Sequence, residues 1–393
     1  MTADKKPGCL LLISKLPYPP VGGDRVKNYN LIRILSRYYA LDLVVITEEK
    51  PDEASVEFMQ RYTNSCKVFL YPKWRFYINA LVGLLGKEPI QVSYYYFREV
   101  QKYVDGLQEQ AAIVIANLIR TAKYVNTSKA KVLDINDSLA INYKRSIGNV
   151  SSLFWKTIYR LEVNRLFAFE QKCIEQFGST LFVNESEYDY WKDKGNVHYV
   201  PFGVDDKLFS YNQYDMRYSN AITFFGKMDY QPNVDTVVWF AKNVLEKLDP
   251  GIKFIIVGAR PSNEVLNLSL NYKNLEVTGF VEDPYLIIAS SFLSVAPMQT
   301  GAGLQNKVLE AMALGQVVLT NQLAAKPIMH AEDNKHLLLA ETPDEIADRI
   351  NEIFRDRNKY AHIGQNAREL MSRYYTLQCY EQKVMNVLNT VAH

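Results

Sequence analysis

The chain has 393 residues, 48% hydrophobic and 22% charged, with a formal net charge of +2. That length exceeds what one hydrophobic core usually organises, so two domains are expected. The near-neutral balance excludes a disordered chain or one that coats nucleic acid, and charge alone names no partner.

From the N-terminus, MTADKKPGCLLLISKL puts positive charge ahead of an apolar run. The run is strand-length, broken at Lys15 and followed by Pro and Gly where a signal peptide would have its cleavage site, so it reads as a first strand. Gly22 and Gly23 follow it and open a helix, where Asp24 reads either as an N-cap or as a catalytic residue, and Arg25 as a phosphate contact. Further strands are expected at Leu41 to Ile46, Val68 to Leu70, Ala112 to Ala116 and Lys131 to Leu133, alternating with helices in the βαβ rhythm of a parallel sheet. Between them, Tyr71 to Val100 interleaves Trp74, Phe76, Tyr77, Leu81, Leu84 and Leu85 with Lys73, Arg75 and Lys87. Core packing is the simpler reading, and a peripheral membrane contact is the other.

Asn117 and Arg120 follow one strand, and Asp134 and Asp137 follow the next, on the edge where parallel sheets place ligands. Asp137 serves equally as a catalytic candidate or as the cap of the following helix. A long amphipathic helix is expected from about Ser151 to Phe177, with a strand at Thr180 to Val183. Val200 to Asn220 holds Pro, Gly and polar residues without period, and a new set of strands begins after it: Ile222 to Phe225, Lys253 to Val257, Leu275 to Val277, Phe292 to Val295 and Val317 to Thr320. A closing helix is expected from about Tyr380. Nowhere do roughly eighteen apolar residues run together, so no transmembrane helix is expected. The cysteines, Cys9, Cys66, Cys173 and Cys379, lack paired spacing, which speaks against a disulfide framework or a zinc site and fits a reduced cytosol.

The most informative stretch is VAPMQTGAGLQNKVLEAMALGQVVLT, Val295 to Thr320. It reads as a strand, a glycine loop, a helix from about Leu304 and another strand. Gly301 and Gly303 let a phosphate approach backbone N–H groups at a helix N-terminus. Leu304, Val308, Ala311 and Gly315 share one helical face, which must be buried, while Asn306, Lys307 and Glu310 share the other. A cation and a carboxylate on one face suit a nucleotide sugar, Lys307 for the diphosphate and Glu310 for ribose hydroxyls. The bland alternative is a surface ion pair one turn apart. A dinucleotide fingerprint fails, because it wants Gly at Asn306 and an acid near Leu323.

This motif resembles the retaining glycosyltransferases of family 4, and the resemblance runs through nearly the whole chain. LPYPPVGGDRVKNYNLIRILS is similar to the family's first strand, glycine loop and helix, VPFGVD to its interdomain turn with Phe202 where Asn is usual, and FFGKMDYQPNVD to its second phosphate loop with Lys227 where Arg is usual. FIIVGARP and LEVTGFVEDP are similar to segments lining the donor cleft. The resemblance implies a GT-B fold, two Rossmann-like domains facing across a deep cleft, with an acceptor domain over 1–203, a donor domain over 204–376 and a helix at 377–393 returning to the first.

By the same resemblance, donor contacts fall to Gly22, Gly23, Gly226, Gly258, Phe280, Val281, Gly301, Gly303, Leu304, Gln305 and Glu310, with Lys227, Lys307 and Asp137 in catalytic roles. Asp137 stands in for a His that the family often carries. The family also has a pair of glutamates, of which Glu310 matches the second while Ala302 occupies the place of the first. A bacterial polysaccharide subgroup with a GAGxxNKxLEA pattern shares this replacement. The expected activity is transfer of a sugar from a UDP- or GDP-linked donor to a glycan or lipid-linked acceptor, with retention of configuration. A cytoplasmic location, extending to the inner membrane face, goes with it. No Asp-x-Asp motif occurs, so neither a metal nor a cofactor is expected, and Lys227, Lys307 and helix N-termini would meet the leaving charge. A nucleotide-sugar epimerase of the same fold, a non-catalytic nucleotide-sugar-binding protein and an NAD-dependent oxidoreductase are the alternatives.

Overall fold

The computed structural model describes residues 6–20, 22–147, 153–301 and 303–392. The chain divides into two compact units, one running through Pro201 and resumed from Glu381, the other spanning Phe202–Tyr380. The second crossing falls inside the closing helix, Leu377–Ala392.

The first unit is built on seven parallel strands: β1 (Gly8–Ile13), β2 (Ala40–Thr47), β3 (Ser65–Leu70), β4 (Ile113–Asn117), β5 (Ala130–Asn136), β6 (Ser179–Phe182) and β7 (Val197–Tyr199). Their order is β3-β2-β1-β4-β5-β6-β7. Helices cover both faces, so the central strands are apolar without alternation, and Cys9 through Ile13 are all buried. The winding reverses between β1 and β4, which pair in register Leu12 with Ala116. Side chains beyond the carboxyl ends of such a pair line a crevice, the usual ligand position in open α/β sheets.

The second unit repeats the plan with β8 (Ala221–Phe225), β9 (Lys253–Val257), β10 (Leu275–Gly279), β11 (Leu293–Ala296), β12 (Val318–Thr320) and β13 (Leu338–Leu339). Their order is β10-β9-β8-β11-β12-β13, with the reversal between β8 and β11. Phe224, Phe240, Phe254 and Ile256 centre its core.

Each strand expected from the sequence is present, shifted by a few residues at its ends. Two strands were not anticipated, β7 and β13, which have three and two residues and are too short to show a period. The helix expected from Leu304 begins instead at Asn306, because Leu304 turns its side chain into the protein from the preceding loop.

Candidate functional site

The densest constellation of the expected residues lies at the winding reversal of the second unit. Beyond β8 the backbone passes so close to β9 that a Cβ on Gly258 would stand 1.7 Å from the Gly226 carbonyl oxygen. A Cβ on Gly226 would in turn stand 2.6 Å from the Asn233 amide and 3.3 Å from Lys307 Cε. Asn233, on the helix Gln231–Asn243, ties the parts together: its Nδ2 donates to the Lys227 carbonyl at 2.8 Å, and its Oδ1 accepts from Lys307 Nζ. Lys307 also stands 4.8 Å from the Phe224 ring centroid. Its hydrogen-bond partners, Asn233, Gln305 and Met298, are all neutral. Burial pushes its ammonium down to about 7, against the opposing pull of Glu310. A cation desolvated among neutral partners favours an incoming anion.

The loop beside it is shaped for the same ligand. Gly301 adopts φ 85°, and Gln305 Nε2 braces the turn by donating to the Gly301 and Gly303 carbonyls at 3.0 Å each. The helix Asn306–Ala313 that follows has no side-chain cap, so its leading N–H groups keep their capacity for an anion. One turn beyond Lys307, Glu310 hydrogen-bonds with Tyr285, while its Oε2 is buried without a partner. Burial pushes the Glu310 carboxyl up to about 7, and the negative charge of Asp205 adds to the effect. The two side chains thus face separate neighbours rather than each other, and the reading of a solvated surface ion pair is corrected.

A second polar constellation lies at the reversal of the first unit. Gly22, at φ 97°, precedes the helix Gly23–Tyr38 and is its N-cap residue, so Asp24 is not the cap. Asp24 pairs instead with Lys15 at 2.6 Å, and Arg25 is engaged by Glu49. Lys27 from the same helix is buried against Asp134 and Asn136. Asp137 does not cap the helix Leu139–Ser146, because Ser138 does, its Oγ accepting from the Ile141 N–H. Asp137 is left with a buried, unpartnered Oδ1, and burial, with Asp24 adding to it, pushes its carboxyl up to about 6. Glu187 accepts from the Ser138 N–H at 2.6 Å, and the Arg120 guanidinium stands 5.1 Å from the Tyr95 ring centroid.

The expected residues therefore fall into two groups. Lys227, Gly226, Gly258, Gly301, Gly303, Gln305, Lys307 and Glu310 surround one sheet edge, while Gly22, Gly23 and Asp137 belong to the other unit. Lys227 pairs with Asp229 at 3.1 Å, so its charge is partly met within the protein. The Leu304 side chain is buried, which leaves only its backbone to a ligand. Phe280 is 78% exposed, and Val281 packs partly against Ile255, Val257 and Ile287. Ala302 lies outside the described residues. Sequence reasoning missed Asn233 as a bridge, Tyr285 and Asp205 around Glu310, and Lys27 and Glu187 around Asp137. Their partners are remote in sequence, and no spacing signals them. Among the described residues, no group of His, Cys, Asp and Glu side chains is arranged to hold a metal ion.

Two Rossmann-like units, the second with a glycine loop opening into an uncapped helix at its winding reversal, define a doubly wound α/β chain with a ligand-type crevice at that sheet edge. The chain matches a family model described as "Glycosyl transferases group 1" over residues 219–356. It is 30% identical over 278 residues to an uncharacterised glycosyltransferase of Methanosarcina acetivorans, covering 64% of this chain and 69% of that one. A 44.6 kDa protein of the cps region of Klebsiella pneumoniae is 25% identical over 337 residues, covering 81% and 83%. In fold it is similar to sucrose-phosphate synthase from Thermosynechococcus elongatus, with TM-score 0.70 at 14% identity over 98% and 99% of the two chains. It is likewise similar to HepE from Anabaena, solved in complex with UDP, with TM-score 0.67 at 17% identity over 98% and 100%. The chain belongs to the glycosyltransferases, carries a group 1 domain, and has the GT-B type of fold.

Proposed function

We propose that the protein transfers a sugar from a UDP- or GDP-linked donor to a glycan or lipid-linked acceptor, with retention of configuration and without a metal. The observation that carries the donor reading is Glu310. Its Oε2 is buried without a partner one helical turn from a lysine whose own partners are neutral. A nucleoside diphosphate supplies what both lack, ribose hydroxyls to donate to the carboxylate and phosphate oxygens to meet the ammonium. Uridine is favoured by HepE, which was solved with UDP and with UDP-glucose. A polysaccharide role is favoured by the relative in a cps region.

In this reading the leaving diphosphate develops charge beside Lys307, Lys227 and the uncapped end of the helix Asn306–Ala313, which stabilise it without reorganising. Asp137, its Oδ1 buried without a partner, is the catalytic candidate of the first unit. Thermal melting with UDP, GDP and ADP tests the donor, and product analysis distinguishes a transferred sugar from a free epimer. Glu310→Ala is expected to weaken UDP binding by about 1 to 3 kcal/mol, since it leaves ribose hydroxyls unpaired. Calorimetric titration measures this, and an affinity equal to that of the parent protein would move the ribose elsewhere. Turnover is expected to persist under exhaustive chelation, because cations of the chain meet the diphosphate charge. Activity lost to a chelator and restored by magnesium would overturn the metal-free part of the reading.

A further inference from the structure

Lys307 and Glu310 lie three residues apart on the helix Asn306–Ala313, the spacing at which opposite charges on a helix usually pair. Both are largely buried, so their attraction is stronger than that of a solvated pair. Left to themselves, the two would neutralise each other and offer little to an incoming diphosphate. Each is instead engaged elsewhere: Lys307 Nζ donates to Asn233 Oδ1, and Glu310 hydrogen-bonds with Tyr285.

The grip on Lys307 is built into the fold. Asn233 is 3% exposed and sits in the first turn of the helix Gln231–Asn243, which starts at Gln231-Pro232. Thr236, one turn on, accepts from the Gln299 N–H at 3.3 Å and so fastens this helix to the segment leading into Gly301. The orientation of the Asn233 amide has one solution. Its Nδ2 donates to the Lys227 carbonyl at 2.8 Å, which leaves Oδ1 for the ammonium. Turned over, the amide would set its NH2 group against the ammonium and its oxygen against the carbonyl. An Asp in this place would also accept from Lys307, but it would neutralise the cation and repel the Lys227 carbonyl. Asn meets both neighbours without charge.

We propose that Asn233 is a positioning residue of the donor site, holding Lys307 away from Glu310 so that ammonium and carboxylate stay available to separate parts of the nucleotide. The consequence for binding rests on the donor reading above, whereas the separation is a property of the chain itself. Two measurements address the two parts.

Carbon-13 NMR of the full chain carrying ε-labelled lysine follows the titration of Lys307 without nucleotide, its signal assigned with Lys307→Arg. In Asn233→Ala the midpoint should rise by about 1 pH unit or more, because Lys307 then pairs with Glu310. With Glu310→Gln added, the rise should vanish. Asn233→Asp, which keeps the side-chain volume, supplies a carboxylate directly, so its rise should survive Glu310→Gln. Calorimetric titration with UDP reads the consequence. Asn233→Ala should weaken binding by about 10-fold or more, but by about 3-fold or less in the Glu310→Gln background, where no carboxylate competes for the ammonium. The inference is overturned if the Lys307 midpoint fails to rise in Asn233→Ala or in Asn233→Asp, or if the loss of UDP affinity is equal in both backgrounds. Failure of the parent chain to bind UDP, GDP or ADP removes the donor reading instead, and the lysine titration still decides the role of Asn233.

Discussion

Lys307→Ala is expected to lower turnover by about 100-fold or more, with a smaller loss of donor affinity. The ammonium is held by Asn233, against the Phe224 ring, with neutral hydrogen-bond partners. Such a group does more for a leaving diphosphate, whose charge grows in the transition state, than for the bound donor. Steady-state release of nucleoside diphosphate, together with calorimetric binding of UDP, separates the two effects. A second readout comes from protonation. Burial holds the ammonium near a pKa of about 7, and a bound diphosphate restores it toward the ordinary lysine range. The protonated form is the one that binds, so below that pH the charge of Lys307 no longer limits UDP affinity. Above it, affinity should fall by up to ~10-fold per pH unit, with proton uptake on binding. Unchanged turnover in Lys307→Ala, or affinity flat through the alkaline range, would remove Lys307 from the diphosphate.

Gly258→Ala is expected to be the most destabilising single methyl group in the donor site. The new Cβ would stand 1.7 Å from the Gly226 carbonyl oxygen, a backbone atom that cannot rotate away. The loop after β8 is pinned from several sides, by Gly226 N–H to the Val257 carbonyl at 3.0 Å, Met228 N–H to the Ala259 carbonyl at 2.9 Å, and Asn233. Relief therefore requires the loop to leave β9, at about 3 kcal/mol or more. Thermal denaturation of the purified variant should show a melting point lowered by roughly 10 °C, and UDP should no longer raise it. A parent-like melting point would mean that the two loops are not in contact as described.

The legible part of the site was the part written in one helix. A period of 3.6 residues separates Val308 and Ala311 from Lys307 and Glu310 within the helix, and glycines ahead of it announce a close backbone approach. The alternation of apolar strands with helices likewise declares two parallel sheets, since strands covered on both faces must be apolar throughout. The role of Asp137 was not legible, because capping and catalysis ask for the same residue at the same place. Only the bond that the Ile141 N–H donates to Ser138 Oγ removes the capping role.

Sequence by itself determined which residues share a face or a strand end, since those relations are set by local backbone geometry. Tertiary structure alone decided which remote partners they meet: Asn233 with Lys307 across 74 positions, and Lys27 with Asp134 across 107. It also decided what they lack, the bond missing from Glu310 Oε2, because burial and satisfaction depend on every neighbouring element. The helix Lys73–Leu85 shows the same division. Its spacing shows that one side is apolar, but whether protein covers that side depends on what packs there. In this chain Phe76, Asn79 and Gly83 turn inward, while Trp74, Tyr77, Ile78, Leu81, Val82 and Leu85 stay exposed.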